Sequence, residues 1–391
     1  MSTPLICHFE PLDTWFFREA RPHGSVGNSE LGSVFPPPMR TLLGALRTLI
    51  GDVWHTRHGG DWRSFADNRE LQALIGFGDD LGPLRANGPF LLRNGERLYP
   101  APANLMVKEQ DGQRHYFLLD LGSPVLCDIG RVHLPTFPAQ VAVLGNNLAG
   151  SQSASDCWLT HSGMQELLQG KAPAANEVIA HNEILNEEPR LGIGRDNQRH
   201  SVQEGLLYQT RHIRLQPGVS VELHLHGLSD ASLLPQHTTL RLGGEGRQAA
   251  LSVSAQAPAL PSATHAIPPG GVFALYHLTP APCTSGQPAG IPCGFVRSTH
   301  QGADCWEGTL AGQQLRILTV ACARPLREGG WDLASHQARA VQSLLAPGSV
   351  LYVQNLSGGP LPTNAFSTLA DATGRGQCIA GRLPASTTFK A

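Results

Sequence analysis

The sequence predicts an α+β fold built mainly of antiparallel strands. Apolar and polar residues alternate in several short segments, which is the pattern of a strand with one buried face. The regular strand–helix–strand spacing of a doubly wound parallel sheet is absent. The chain also holds 43 glycines and 30 prolines among 391 residues, a share that indicates many turns and long connections.

The first elements follow from local pattern. Residues 5–10 read as a strand, and Pro36–Pro38 can open a helix because proline is tolerated in a first helical turn. The spacing of apolar residues then predicts a helix from Met39 onward. The residues on its apolar stripe are Met39, Leu42, Leu43, Leu46, Leu49, Ile50 and Val53.

The middle of the chain predicts a hairpin, further strands and a boundary. Asn94-Gly95 lies between two apolar runs and predicts a tight β-turn. Residues 113–145 alternate weakly, and residues 159–168 predict a short helix. The Ala/Pro segment at 171–175 indicates a boundary, so we expect two domains, 1–175 and 176–391.

The second half predicts glycine-rich loops beside strands. Residues 189–199 read as a Gly-rich loop, and Val219–His226 as a strand with Val219, Val221, Leu223 and Leu225 on one face. Leu240–Arg247 reads as a strand that runs into a glycine loop. Residues 254–269 read as a surface connection, and 281–294 and 299–313 as turn-rich insertions. The chain ends with strands near 350–353 and 374–382.

The charge balance excludes a protein that coats nucleic acid through bulk positive charge. The formal net charge is −2, and lysine occurs only at Lys108, Lys171 and Lys390. The arginine excess suits phosphate recognition and is equally explained by GC-rich codon usage. The eight cysteines include no C-x-x-C pair, and the N-terminus has no basic region followed by an apolar run. We therefore expect a cytoplasmic protein with reduced thiols.

A dense group of cations lies in residues 190–214. It comprises Arg190, Arg195, Arg199, His200, Arg211, His212 and Arg214. Gly192-Ile193-Gly194-Arg195 precedes no Gly-Lys-Ser/Thr and lacks a third glycine, so it is neither a Walker loop nor a dinucleotide fingerprint. Glycines allow a nucleic-acid backbone to approach, and arginine forks reach phosphates. A solvated hairpin with ordinary surface arginines fits the same residues.

Two further segments carry arginine beside glycine or aromatic residues. Arg40, Gly44 and Arg47 share one face of the predicted helix and could seat a phosphate, or simply lie in solvent beside a close helix contact. Phe16-Phe17-Arg18 could stack bases, although successive aromatic residues are more often core.

The sequence indicates no catalytic or metal centre. His224 and His226 share a strand face but have no recognisable third ligand. H-E-x-x-H and G-x-S-x-G are absent. Asp13 with Glu19, and Asp79 with Asp80, read as solvated loop acids.

Several blocks together resemble one family. "PLDTWFFREARP", "FPPPMRTLLGALRTLIG", "GPFLLRNGERLYPAP", "LGIGRDNQRHSVQEGLLYQ", "LRLGGEGR" and "GGWDL" followed by "APGSVLYV" occur in this order between about residues 13 and 353. The chain thereby resembles the third subunits of the type III-B CRISPR effector, the Cmr complex, which belong to the RAMP superfamily.

The resemblance implies two ferredoxin-like (RRM-like) domains with large insertions and a non-catalytic role without cofactor or metal. The partners it implies are the 5′ repeat-derived tag of crRNA, the large polymerase-type subunit and the adjacent backbone RAMP subunit. The RNA-binding residues that the resemblance implies are Arg18, Arg21, Gly192, Gly194, Arg195, Arg199, Gly243, Gly244 and Arg247. The cation group adds His200 to the predicted RNA-binding residues, and the helix face adds Arg40 and Arg47.

Two alternatives stay open at this point. One is a RAMP endoribonuclease that processes precursor CRISPR RNA, with His23 or His200 as general acid or base. The other is the equivalent subunit of a type III-A complex.

Overall fold

The structure is a computed structural model that describes most of the chain. The described ranges are 4–20, 29–128, 130–196, 198–199, 201–256, 258–263, 266–332, 337–362, 364–367 and 370–384. Within them, the side chains of Ser29, Arg195, Asp196, 202–206 and Trp331 are not described. The predicted α+β class is confirmed, with mostly antiparallel sheets and few helices.

Strands make up most of the regular structure. Those up to residue 215 are β1 (Leu5–Pro11), β2 (Ser29–Leu31), β3 (Arg85–Arg93), β4 (Glu96–Pro100), β5 (Leu105–Gln110), β6 (Gln113–Leu118), β7 (Asp120–Leu121), β8 (Val125–Cys127), β9 (Gly130–Val132), β10 (Pro135–Thr136), β11 (Gln152–Ser153), β12 (Trp158–Leu159), β13 (Val178–Ile179), β14 (Leu185–Asp196) and β15 (Ser201–Leu215). The later ones are β16 (Val219–His226), β17 (His237–Arg241), β18 (Gln248–Ser254), β19 (Val272–His277), β20 (Ala281–Pro282), β21 (Val296–His300), β22 (Ala303–Leu310), β23 (Gln313–Ala321), β24 (Leu326–Glu328), β25 (Trp331–Asp332), β26 (Gln337–Ala338), β27 (Gln342–Leu345), β28 (Val350–Asn355) and β29 (Cys378–Arg382).

The described part of the chain contains three α-helices. They are α1 (Met39–His58), α2 (Arg69–Ile75) and α3 (His161–Leu168). Helix α1 begins directly after Pro38 and ends at Gly59, whose φ of 79° suits glycine. It buries five of the seven predicted stripe residues, and Leu49 and Val53 are partly buried against the same core. Helix α3 is capped by Thr160, whose hydroxyl accepts a hydrogen bond from the Gly163 N–H at 3.1 Å.

The first large sheet holds α1 on one face. Its strand order is β13-β12-β4-β3-β16-β1-β18-β17, with antiparallel pairing throughout. The predicted alternation of β16 is confirmed, because Val221, Leu223 and Leu225 are buried in the same core as the stripe of α1. The sheet joins strands from both sides of residue 175, and the two-domain division at that point stays a prediction.

The second large sheet is formed mostly by strands from residue 272 onward, with β8 and β9 added from the first half of the chain. Its order is β29-β19-β28-β23-β22-β9-β8, with β21 also paired to β22. Its own core includes Phe273, Leu351 and Phe366. The prediction of a turn-rich insertion at 299–313 was wrong, because β22 and the last two residues of β21 occupy it and β23 begins at its end. Tight turns at Gly302 and Gly312 gave the segment its loop-like composition.

A long hairpin, β14–β15, forms a sheet of its own with the short strand β2, which runs parallel to β15. We call it the ribbon. The prediction of a Gly-rich loop at 189–199 was wrong over most of its length, because β14 extends to Asp196. Gly192 is extended strand, and a Cβ there would overlap the ring of Tyr208 on the paired strand. The glycine therefore makes room for an aromatic ring across the ribbon.

A further hydrophobic core lies between the large sheets. It includes Phe90 and Tyr99 of the first sheet and Tyr276 and Tyr352 of the second. None of the described helices is both long and apolar enough to cross a membrane.

Candidate functional site

Three arginines converge on the carboxylate of Asp13 at the base of the ribbon. Arg190 Nη2 lies 3.1 Å from Oδ2, Arg214 Nη2 lies 2.9 Å from Oδ1, and Arg247 Nη1 lies 3.1 Å from Oδ2. The ribbon supplies Arg190 and Arg214, and the loop between β17 and β18 supplies Arg247. We call these four residues the Asp13 hub.

Glu188 extends the hub with a second carboxylate. It accepts hydrogen bonds from Arg190 and Arg214. Hydrogen bonds from Arg214 and Arg190 lower the pKa of Asp13, and the same two arginines lower the pKa of Glu188. Both acids are therefore ionised at neutral pH, and three cations face two anions. The three arginine side chains are between 22% and 45% exposed, so the surplus positive charge reaches solvent.

A neutral histidine lies beneath the hub. His212 is buried, its Nδ1 lies 3.1 Å from the Thr14 hydroxyl, and its ring stacks on Phe16 at 5.3 Å between centroids. Burial, with nearby Arg247 and Arg190, lowers the pKa of His212 to about 4. The imidazole is uncharged at neutral pH and acts here as a flat packing partner for Phe16.

The predicted glycines of the β17–β18 loop pack on the same aromatic segment. The Gly244 N–H donates to the Phe16 carbonyl at 2.8 Å. A Cβ on Gly243, whose φ is 90°, would lie 2.7 Å from that carbonyl oxygen and 3.2 Å from the ring of Phe17. The loop thus lies directly against the segment that carries Arg18. Phe16 and Phe17 are buried, in agreement with the core interpretation of these aromatic residues.

The structure brings part of the predicted site together. Arg18 is exposed, two residues from Phe16, and makes no ion pair with another described residue. Gly243, Gly244 and Arg247 lie beside this segment.

The ribbon carries the other predicted residues. Gly192 and Gly194 lie in β14, Arg195 pairs in register with Val202, and Arg199 is exposed in the turn. Arg21 and His200 lie outside the described residues, as does His23.

Arg40 and Arg47 of α1 are directed at the loop that follows α2 rather than at the Asp13 hub. Arg40 Nη1 lies 2.7 Å from Asp79 Oδ1, and Arg47 donates to the carbonyls of Gly78 and Asp80 at 3.0 and 3.3 Å. These guanidinium groups bind the protein's own loop, and their contact with RNA stays a prediction.

Sequence reasoning missed Asp13 as the centre of the site and set it aside as a solvated acid. The signal that could have found it was the cation density at 190–214, which supplies two of its three arginines.

Of the two histidines of β16, His224 contacts a buried ion pair and His226 does not. The Glu222 carboxylate accepts from Arg97 and lies 2.8 Å from Nε2 of His224, while His226 contacts Asn87. Among the described residues, no group of three or more His, Cys, Asp or Glu side chains is arranged to hold a metal ion.

Comparison with models of known protein families gave a match. The model of the family described as CRISPR-associated protein (Cas_Cmr3) matches residues 7–383. A search of curated proteins gave no match.

Three solved structures show what the chain is similar to. A chain of "Cryo-EM structure of the Type III-B Cmr-beta bound to cognate target RNA" is 16% identical, with a TM-score of 0.44 over 89% of this chain and 86% of that chain. A chain of "Crystal structure of Csm3-Csm4 subcomplex in the type III-A CRISPR-Cas interference complex" is 10% identical, with a TM-score of 0.37 over 91% of this chain and 98% of that chain. A chain of "Crystal structure of Csm1-Csm4 cassette in complex with AMPPNP" is 11% identical, with a TM-score of 0.31 over 92% of this chain and 97% of that chain.

Proposed function

The chain belongs to the CRISPR-associated Cas_Cmr3 family and is a type III CRISPR effector subunit, and from this premise we propose that it binds RNA without cutting it. The RNA is the 5′ repeat-derived tag of crRNA. The protein partners are the large polymerase-type subunit and the adjacent backbone RAMP subunit. The two ferredoxin-like domains and the cytoplasmic location predicted above belong to the same proposal.

The Asp13 hub is the observation that supports RNA binding. Its three arginines are held in fixed positions and carry a surplus positive charge, and exposed Arg18 follows Asp13 by five residues. Arginine forks recognise phosphate oxygens, and a few such contacts position a strand without requiring a basic protein. A local cationic face on a chain of net charge −2 suits one short RNA segment held within a larger assembly.

The composition of the site supports a non-catalytic role. Among the described residues, His212 lies beside the hub, and it is buried and neutral, hydrogen-bonded to Thr14 and stacked on Phe16. A general acid or base needs access to the RNA 2′-hydroxyl or leaving oxygen, which this ring lacks.

The first test is recovery of the tagged protein from its native host, followed by sequencing of the bound RNA. We expect crRNAs that share one 5′ tag, together with a large polymerase-type subunit. Recovery of the protein alone, or with uncut precursor RNA, would contradict the proposal. So would metal-independent cleavage of labelled repeat RNA by the purified protein.

The second test assigns the RNA face to the hub. The double variant Arg18→Ala/Arg247→Ala leaves Asp13 paired with Arg190 and Arg214. We expect RNA binding to weaken by about 1–3 kcal/mol for each arginine that is removed. The slope of log K against log salt should shrink by about 1.4, since each single-strand phosphate contact contributes roughly 0.7.

A matched control removes two exposed arginines elsewhere, Arg69 and Arg297. We expect Arg69→Ala/Arg297→Ala to bind RNA with the wild-type slope. Equal slopes for the two double variants would show that the hub is not the RNA face.

A further inference from the structure

Three neighbouring aromatic rings lie at the surface beside the C-terminal half of α1. Trp62 and Phe77 are 37% and 40% exposed, and half-buried Phe65 lies between them. The ring centroids of Trp62 and Phe65 are 5.1 Å apart, and those of Phe65 and Phe77 are 5.5 Å apart. We call these three residues the aromatic patch. Contiguous exposed apolar surface of this kind marks a place where another molecule binds.

Trp62 is held in place by α1. Its Nε1 donates a hydrogen bond to Asp52 Oδ1 at 2.6 Å. Its ring lies directly against Gly51, where an added Cβ would lie 2.4 Å from the ring carbons. Glycine inside a helix is less stable than alanine, and here it makes room for an indole that stays partly exposed. A tryptophan fixed in this way loses little side-chain freedom when a partner binds.

The segment that carries the aromatic patch has an excess of negative charge. Residues 52–80 contain six acidic side chains, all exposed, against three arginines and no lysine. The acids are Asp52, Asp61, Asp67, Glu70, Asp79 and Asp80. Each ring of the patch has at least one of these acids within three positions of it in the sequence. Asp61, Asp67 and Glu70 make no ion pair with another described residue, so their charges are available to a partner.

This combination of rings and acids favours a basic protein surface as the occupant. The negative charge repels the phosphates of RNA. It also disfavours a second copy of the chain, which would bring the same acids together. Arginine and lysine side chains suit both features, because their cations pack on aromatic faces and pair with carboxylates. Exposed tryptophan and other aromatic side chains are the usual anchors of protein interfaces.

We propose that the aromatic patch docks a neighbouring protein subunit through a surface that presents arginine or lysine side chains. This inference rests on the proposed protein partners and adds the face on which one of them binds.

The experiment recovers the tagged full chain from its native host. Quantitative mass spectrometry then measures the amount of each partner subunit per tagged chain, and quantitative sequencing measures the amount of crRNA. We expect Phe77→Ser to lower the recovery of one of the two proposed partner subunits about tenfold, because it removes an interface anchor. We expect Asp67→Lys/Glu70→Lys to lower the recovery of the same subunit by a similar factor, because it places like charges opposite each other. Urea denaturation of the purified variants checks that both are folded.

Matched controls make the same kinds of change elsewhere on the surface. Leu126→Ser replaces an apolar side chain that is 84% exposed, and Glu10→Lys/Glu109→Lys reverses two exposed acids. Both controls should keep the wild-type recovery of that subunit.

Several outcomes would overturn the docking face while leaving the proposed function intact. One is unchanged recovery of both partner subunits in the two folded patch variants, and another is an equal loss in the controls. Loss of crRNA alone would assign the aromatic patch to RNA. A dimer of the isolated wild type that Phe77→Ser converts to a monomer would make a second copy the occupant. Failure of the wild type to recover any partner subunit would instead overturn the proposed function, and the docking face with it.

Discussion

Gly243→Ala tests whether the glycines of the β17–β18 loop serve the fold or the approach of RNA. Gly243 has a φ of 90°, and an added Cβ would lie 2.7 Å from the Phe16 carbonyl oxygen. A left-handed backbone costs a non-glycine residue about 1–2 kcal/mol. Overpacking against a fixed neighbour adds about 1–3 kcal/mol. We therefore expect the free energy of unfolding to fall by about 2–5 kcal/mol.

Gly246→Ala provides the control within the same loop. Gly246 has a φ of 65°, and an added Cβ would meet nothing within 4 Å. The backbone cost alone should appear, about 1–2 kcal/mol. Urea denaturation followed by tryptophan fluorescence suits both variants, because Trp15 lies next to Phe16 and donates a hydrogen bond to the Gln248 carbonyl.

The two variants separate a packing role from an RNA role. If Gly243 holds the loop on the Phe16 segment, Gly243→Ala loses more stability than Gly246→Ala, and its RNA affinity falls only as the loop is displaced. Equal stability of the two variants, with RNA binding lost only in Gly243→Ala, would refute the packing argument. It would then assign Gly243 to close approach of the RNA backbone.

Three further predictions concern charged and titrating groups. Arg97→Met leaves the fully buried Glu222 carboxylate without its arginine partner, so we expect the free energy of unfolding, measured by urea denaturation, to fall by about 3–5 kcal/mol. A fall below about 1 kcal/mol would contradict the buried pair. Burial lowers the pKa of His212 and His277 to about 4 from an ordinary value of 6.5. Between these pH values the unfolded chain binds more protons, so the free energy of unfolding should fall by up to about 3 kcal/mol per histidine as pH drops from 6.5 to 4, whereas flat stability there would contradict neutral burial. Asp13→Asn should tighten RNA binding and steepen its salt dependence, and weaker binding would show that the Asp13 charge is needed to position the arginines.

Local sequence patterns predicted those elements whose burial pattern is set by the spacing of residues within the element itself. The stripe of α1 and the alternation of β16 are read within one element, and both are confirmed. The segment 189–199 was read wrongly because the role of Gly192 depends on Tyr208, its partner across the ribbon. A glycine that faces an aromatic ring on the paired strand has the same local sequence as a glycine in a loop.

The cation density at 190–214 indicates two arginines of the Asp13 hub, but the carboxylate that they share could not be predicted, for the same reason at longer range. Asp13 lies 177 residues from Arg190 and 234 residues from Arg247 in the sequence. The spacing of residues within one segment cannot predict a contact between residues so far apart in the sequence. From its neighbours in the sequence, a single aspartate in a loop cannot be distinguished from a solvated acid. The structure supplies what the sequence alone leaves open, namely which of many arginines share one carboxylate.

Pairing of the arginines changes how a chain of net charge −2 can bind RNA. Arg190, Arg214 and Arg247 already have a carboxylate partner, so a phosphate that binds them exchanges with Asp13 rather than meeting free cations. Such an exchange gains less from bulk electrostatics than binding to unpaired arginines does, because part of the positive charge is already neutralised. The exchange has a smaller entropic cost, because the guanidinium groups are already held in place before the RNA binds and lose less side-chain freedom. Specific placement of one short segment, rather than high affinity for any RNA, is the property that this arrangement favours.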